Sequence, residues 1–120
     1  MMPPIYDPQN IFARILRGEI PAAPVLETAH SIAFPDLSPQ APAHVLVLPR
    51  GAYVDWDHFA ESASDAEIVD FTRAVAAVCR MVGAGGYRMI SNAGADGMQE
   101  VPHLHVHVLA GKKLGPLIQR

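Results

Sequence analysis

The chain has 120 residues, of which 50% are hydrophobic and 18% are charged. These values exclude an intrinsically disordered protein, and the length predicts one domain that can build its own core. The formal net charge of −3 argues against a nucleic-acid-binding surface, although local charge still permits a small anionic ligand.

The start of the chain is predicted to form an N-terminal arm followed by a short helix. We expect residues 1–9 to form a loose N-terminal arm. Asn10 is a good N-cap for a short amphipathic helix that runs to Arg17. Gly18 stands where a helix commonly ends on a glycine.

Three strands are predicted in the next segment. Two short strands are expected over Val25–Thr28 and Ser31–Phe34, and Asp36–Pro39 has the composition of a turn. His44–Leu48 is a stronger strand pattern, and Pro49 ends it.

The clearest helix is predicted to begin after Ser64. Ser64 followed by Glu67 is the pattern of a capping box, and apolar residues then recur at three to four positions up to Val82. Gly83 marks its end.

The remaining segments predict two further strands, over Tyr87–Ser91 and Pro102–Ala110, separated by a glycine-containing loop over Asn92–Met98. Residues 111–120 form a short C-terminal tail. Strands outnumber helices and short turns join them, so we expect a single α+β domain over residues 1–120 with a mostly antiparallel sheet.

The location of the protein is predicted from its cysteine content and from the absence of targeting patterns. Cys79 is the one cysteine, so an intramolecular disulfide is excluded and a reducing compartment is favoured. No apolar run approaches the ~20 residues of a membrane span, and the first residues do not resemble a signal peptide. We therefore expect a cytoplasmic protein with no membrane partner.

The most informative segment is the one that carries three histidines. His103, His105 and His107 alternate with apolar residues, which places them on one face of the predicted last strand. Packing alone does not favour three titratable rings in a row, because strands prefer branched and aromatic side chains. The pattern therefore indicates a functional site, either metal-binding or catalytic.

One chemical interpretation is a metal site. Histidines two apart on a strand can share a metal ion. However, the outer two Cα atoms of the three lie about 13 Å apart, so a site would need two of them and a residue from elsewhere.

The other interpretation is nucleophilic attack on phosphorus. A neutral imidazole can attack a phosphate, and neighbouring imidazoles can stabilise the charge that develops. Gly94 and Gly97 lie in the loop just before the histidines, and such a loop can turn backbone N–H groups toward an anion.

The histidine pattern and its surroundings resemble the histidine triad (HIT) superfamily, and within it the Hint branch. The resemblance extends over residues 10–115. The segments that carry it, in chain order, are Asn10–Pro21, Ala33–His44, Asn92-x-Gly94, Gln99-x-Val101-Pro102-His103 and His103-x-His105-x-His107.

The resemblance implies a five-stranded antiparallel sheet with two helices and a homodimer in which two sheets join. It also implies a purine nucleotide ligand and the hydrolysis of nucleoside 5′-phosphoramidates, with release of AMP or GMP and an amine. Two alternatives are a nucleotide-binding regulatory module with little turnover and a dinucleoside polyphosphate hydrolase.

Site roles follow from the resemblance by position. It implies that His105 is the nucleophile and forms a nucleotidyl-histidine, that His103 orients it, and that His107 and His44 bind phosphate oxygens. Asp36 is expected to bind the ribose hydroxyls. Two further groups are implied, a base pocket of Phe12, Ile15, Phe34 and Leu37, and a phosphate-side segment of Asn92, Met98, Gln99, Glu100 and Val101.

Three departures from the family pattern qualify these expectations. Many relatives have Cys-x-x-Cys in the first helix, whereas this chain has Asn10 and Ala13, so we expect no structural zinc and no other cofactor. Glu100 stands where many Hint proteins have a serine, and Met98 replaces a common glycine.

Overall fold

The structure is a computed structural model that describes residues 4–118. Over these residues no helix is long and apolar enough to cross a membrane. The helices and strands are α1 (Ile11–Leu16), β1 (Leu26–Glu27), β2 (Ser31–Pro35), β3 (Ala43–Pro49), α2 (Trp56–Ser62), α3 (Asp65–Val82), β4 (Tyr87–Ile90) and β5 (Val106–Ala110).

The strands form one sheet in the order β1-β2-β3-β5-β4, and every neighbouring pair is antiparallel. This confirms the predicted five-stranded antiparallel sheet. Strand β5 is inserted between β3 and β4, so the histidine segment enters the middle of the sheet. Strand β4 is left as an edge.

Local capping explains where the predicted helices begin. The Asn10 side chain accepts a hydrogen bond from the Ala13 N–H at 2.9 Å, which satisfies one free donor of α1. Ser64 and Glu67 form the predicted capping box at the start of α3. Gly83 is the C-cap of α3, as expected.

The expectation of two helices is wrong, because the described residues contain a third, α2. Asp55 caps it by accepting a hydrogen bond from the His58 N–H at 3.0 Å. Phe59 is the one buried residue of this helix. A single buried apolar residue gives no helical periodicity in the sequence, so the sequence did not predict this helix.

The last strand begins at Val106, four residues later than predicted. Pro102 has no N–H to give to a ladder, and the His103 N–H donates to the Val101 carbonyl at 2.9 Å. This tight turn bends the chain before β5. Of the three histidines, only His107 therefore lies within a strand.

The sheet separates two apolar clusters. Helix α3 packs on one face, where Phe71 and Val78 meet Val47 and Val108. The opposite face carries the second cluster, formed by Phe12, Ile32, Phe34, Leu46 and Leu48, with Ile15, Leu16 and Val101 packed against it. Because side chains alternate along a strand, His44 and His107 project to this second face.

Candidate active site

The site forms where β3 and β5 run side by side. The backbone register pairs His44 with Leu109 and Leu46 with His107, so the two histidines lie diagonally across the strand pair. Their ring atoms, Nε2 of His44 and Nδ1 of His107, are 2.9 Å apart. His105 precedes β5, and its ring centroid lies 5.0 Å from that of His107.

A backbone hydrogen bond determines which ring nitrogen of His105 is unprotonated. Its Nδ1 lies 2.7 Å from the backbone carbonyl of His103. A carbonyl oxygen can only accept, so Nδ1 carries the proton and Nε2 holds a lone pair. Burial of the ring lowers the pKa of His105, which keeps it neutral at neutral pH. This is the form of imidazole that can act as a nucleophile.

A second chain of hydrogen bonds sets the tautomers of His44 and His107. The Gln40 backbone N–H donates to Nδ1 of His44 at 3.0 Å, so Nε2 carries the proton of that neutral ring. His44 therefore donates to Nδ1 of His107. The proton of neutral His107 is left on Nε2, which becomes a hydrogen-bond donor.

His107 is neutral because of its surroundings. Burial is the largest cause of the lowering of its pKa to about 4, and the neighbouring His105 and His44 add to it. Asp36 opposes this shift. At neutral pH the ring can therefore offer an N–H to an anion without carrying a charge.

Asp36 borders the same pair of histidines. One carboxylate oxygen accepts the Ser38 N–H at 2.7 Å, which folds the turn that follows β2. The other lies 3.5 Å from Nε2 of His44. The Asp36 side chain is 21% exposed, so it can still meet a ligand.

Asp36, His44 and His107 also satisfy the distance criterion for a metal site, since their ligand atoms lie within 4.8 Å of one another. The hydrogen bonds of His44 oppose this use. Its Nε2, which faces the cluster, carries the proton because Gln40 occupies Nδ1. A metal ion would have to displace that proton, so the arrangement favours a chain of hydrogen bonds.

His103 is fully buried and satisfied at both ring nitrogens. Its Nε2–H donates to the Pro49 carbonyl at 2.8 Å. Nδ1 therefore accepts, and its donor is the hydroxyl of Tyr6 at 2.6 Å. Burial lowers the pKa of His103 to about 4, so the ring is neutral.

Tyr6 is a site residue that the sequence reasoning missed. It lies in the predicted loose arm, whose other described residues, 4, 5 and 7–9, are exposed. Tyr6 itself is half-buried and makes an edge contact with the His103 ring at 5.6 Å. No local pattern signals this contact, because 97 positions separate the two residues.

The residues expected to form the base pocket are only partly assembled. Phe12 and Phe34 are buried and meet edge to face at 5.9 Å, and the Phe12 ring lies 4.9 Å from the ring of His105. Ile15 packs against the same cluster. Leu37 is 97% exposed and stands apart from it.

The segment expected to contact the phosphate is partly at the surface. Met98 and Glu100 are exposed, and Met98 has a φ of 57°, the left-handed region in which a glycine is the easier residue. Asn92 is half-buried, and Val101 packs against the apolar cluster near Phe12.

The amide of Gln99 is already engaged with backbone groups. Its Nε2 donates to the Val54 carbonyl at 2.6 Å and to the Val101 carbonyl at 3.1 Å. Its Oε1 accepts the Gly94 N–H at 3.3 Å. Gln99 therefore fastens the glycine-containing loop, and its contact with the phosphate stays a prediction.

The combined arrangement places a nitrogen lone pair beside an N–H donor. His105 supplies the lone pair and His107 supplies the donor, and both rings are neutral. A phosphorus centre between them would meet a nucleophile and a group that stabilises the oxygens around it.

The chain is similar in sequence to known proteins of one family. A family model described as HIT domain matches residues 17–114. An uncharacterized HIT-like protein of Azospirillum brasilense is 60% identical over 117 residues, which cover 96% of each chain. The purine nucleoside phosphoramidase of Escherichia coli strain K12 is 34% identical over 112 residues, covering 92% of this chain and 93% of that protein.

The fold is also similar to that of solved HIT protein structures. A histidine triad protein from Clostridium difficile has a TM-score of 0.80 and 36% identity, and the alignment covers 95% of this chain and all of that one. A HIT family hydrolase from Legionella pneumophila has a TM-score of 0.77 and 30% identity, over 89% of this chain and 96% of that one.

Proposed function

The chain belongs to the HIT domain family, a family of hydrolases, and from that premise we propose that it cleaves purine nucleoside 5′-phosphoramidates. The products are a nucleoside monophosphate and an amine. The observation that carries this proposal is the tautomer of His105, whose Nε2 is held free of its proton by the His103 carbonyl. The similarity to a purine nucleoside phosphoramidase supports the substrate class.

In the first step, the lone pair of His105 Nε2 attacks phosphorus and forms a nitrogen–phosphorus bond. The bond between phosphorus and the amine nitrogen breaks, and that nitrogen takes a proton from solvent. The positive charge of the nucleotidyl imidazole is stabilised because its Nδ1–H points at the His103 carbonyl. His107 Nε2–H donates to a phosphate oxygen throughout.

In the second step, water attacks the same phosphorus. The bond to His105 Nε2 breaks and returns its electron pair to the ring, and the proton lost by the water passes to solvent. The nucleoside monophosphate is released and neutral His105 is restored. Splitting one displacement into two in this way is the usual benefit of a covalent intermediate.

Recognition of the nucleoside is assigned to the same face of the sheet. We assign the base to the apolar surface of Phe12, Ile15 and Phe34, with exposed Leu37 closing over it. We assign the ribose hydroxyls to the Asp36 carboxylate, which can accept two hydrogen bonds from a diol.

We also propose that the protein is a homodimer joined through β4. Tyr87 and Met89 are 54% and 55% exposed on this edge strand, and Met81 at the end of α3 is 52% exposed. Natural sheets rarely leave an apolar edge unpaired. A second copy of the chain is the occupant that would extend the sheet across this edge.

The direct test is hydrolysis of adenosine 5′-phosphoramidate. We expect the wild type to release AMP and the His105→Ala variant to release almost none while still binding AMP, since no other histidine reaches the same position. Binding of AMP without turnover by the wild type would instead identify a nucleotide-binding regulatory module.

A further inference from the structure

We propose that Tyr6 is a positioning residue for the His105 nucleophile and acts through the buried ring of His103. This proposal rests on the proposed function, because it takes His105 as the attacking group. Tyr6 lies in the N-terminal arm, outside the histidine segment and before residue 17, where the family match begins.

The side chain of His103 is held at both of its ring nitrogens. Its ring is buried between two partners, the Pro49 carbonyl at the end of β3 and the Tyr6 hydroxyl. The carbonyl takes the ring's one proton, so the hydroxyl is the donor that Nδ1 requires. Removing that hydroxyl would leave Nδ1 as a buried acceptor without a partner. The ring would then shift, or a water molecule would enter beside it.

The backbone of His103 connects this ring to the nucleophile. The side chain and the carbonyl group of His103 are joined at the same Cα, and the carbonyl accepts from Nδ1 of His105 at 2.7 Å. The segment around His103 lies outside the sheet ladder, so strand pairing does not fix the direction of this carbonyl. The Leu104 N–H of the same planar peptide group donates to the Tyr53 carbonyl at 2.8 Å and holds that group on one side, and the His103 Cα holds it on the other. The two ring anchors of His103 therefore help to aim it.

The N-terminal arm that carries Tyr6 is also held by hydrogen bonds that do not involve the Tyr6 hydroxyl. Arg17 donates to the Pro8 carbonyl at 2.6 Å, and Asn10 donates to the Asp7 carbonyl at 2.8 Å. These bonds hold the arm in place without Tyr6. A phenylalanine would also keep the edge contact with His103, so the change removes the hydrogen bond specifically.

The test compares Tyr6→Phe with Tyr53→Phe. Tyr53→Phe also removes a hydroxyl, which donates to the two oxygens of the Glu67 carboxylate at 2.9 and 2.8 Å, but that contact lies between the segment before α2 and the start of α3. We expect Tyr6→Phe to lower kcat about 10-fold on adenosine 5′-phosphoramidate with KM within about twofold, because a misaligned nucleophile costs rate more than binding. Tyr53→Phe is expected to retain wild-type kcat.

A second readout needs no substrate. Nitrogen-15 spectra of the histidine rings report which nitrogen of His105 carries the proton, and we expect Tyr6→Phe to shift the His105 signals and Tyr53→Phe to leave them in place. Tyr6→Leu in the full chain serves as a second variant and is expected to show at least the same loss of kcat.

The outcomes distinguish this inference from the function on which it rests. If the wild type hydrolyses the phosphoramidate but Tyr6→Phe matches Tyr53→Phe in kcat and in the His105 signals, the role of Tyr6 is overturned. Full kcat in Tyr6→Leu would overturn it as well. If the wild type itself has no activity, the proposed function fails and the positioning role fails with it.

Discussion

The carbonyl oxygen of His103 lies 2.7 Å from Nδ1 of His105, so the first histidine of the segment sets the protonation pattern of the second. The contact fixes Nε2 as the reactive atom before any substrate arrives. It also provides an acceptor for the charge that attack would place on the ring.

The first prediction concerns the tautomer of His107. His44→Phe keeps a ring in the core but removes the Nε2–H that now donates to His107 Nδ1. His107 would then be free to move its proton to Nδ1 and turn a lone pair toward the phosphate. We expect kcat/KM to fall about 10- to 100-fold, the usual cost of one hydrogen bond to a charged group.

The matched control for that variant is His58→Phe. His58 also uses Nδ1 to accept a backbone N–H, from Val54 at 2.9 Å, but it lies at α2 and outside the histidine cluster. Steady-state kinetics on both variants provide the comparison. Equal losses would show that His44 acts only through stability.

The second prediction concerns stability in acid. Folding holds the pKa of His103 at about 4, below the ordinary value of 6.5, so between these values the unfolded chain binds more protons than the folded one. Stability must therefore fall as the pH falls from 6.5 to 4, by about 3 kcal/mol for this ring. Urea unfolding at several pH values measures the slope.

The control for the acid prediction is His103→Gln, which removes the titrating group and keeps an amide that can hydrogen-bond. Its free energy of unfolding is expected to vary less with pH over the same window, even though its absolute stability is lower. An identical slope in both proteins would show that His103 titrates normally in the folded state.

The third prediction concerns the leaving group. Glu100 is an exposed residue of the phosphate-side segment, and a carboxylate there can accept a hydrogen bond from a cationic amine. We expect Glu100→Ser to lower kcat/KM about 10- to 100-fold for a phosphoramidate with a basic amine and to spare a neutral one.

Glu61→Ser is the control for this variant, because it removes one exposed carboxylate from α2. We expect Glu61→Ser to have equal effects on kcat/KM for phosphoramidates with basic and with neutral amines. If Glu100→Ser has equal effects on basic and neutral leaving groups, Glu100 faces away from the amine.

The fourth prediction concerns assembly. Met89→Lys places a charge on the exposed edge strand β4 and should convert the proposed dimer to a monomer, since a buried unpaired charge opposes association. Val69→Lys introduces the same charge at a similarly exposed apolar residue of α3, on the side near β1, and should leave the dimer intact. Light scattering of the wild type at 12.9 kDa would contradict the dimer.

Much of the fold could be predicted because its signals are local. The Asn10 cap and the Ser64–Glu67 capping box each join residues three apart, so the sequence alone exposes them. The apolar run of β3, which ends at Pro49, likewise depends on neighbouring positions. These features place α1, α3 and most of the sheet without knowledge of tertiary contacts.

The unpredicted features depend on contacts between distant segments. Tyr6 and His103 are 97 positions apart, and no composition rule connects them. The late start of β5 depends on a turn closed by His103 and Val101, which competes with an otherwise convincing strand pattern. The tautomers of His44 and His107 follow from the Gln40 N–H, a backbone group that residue types do not reveal.

The most direct test of the central claim is intact-protein mass spectrometry during turnover of adenosine 5′-phosphoramidate, followed by peptide mapping of quenched samples. The account predicts a transient gain of one AMP unit, located on His105 and missing in the His105→Ala variant. Turnover without any such adduct, or an adduct located on His103 or His107, would contradict the assignment of His105 Nε2 as the nucleophile.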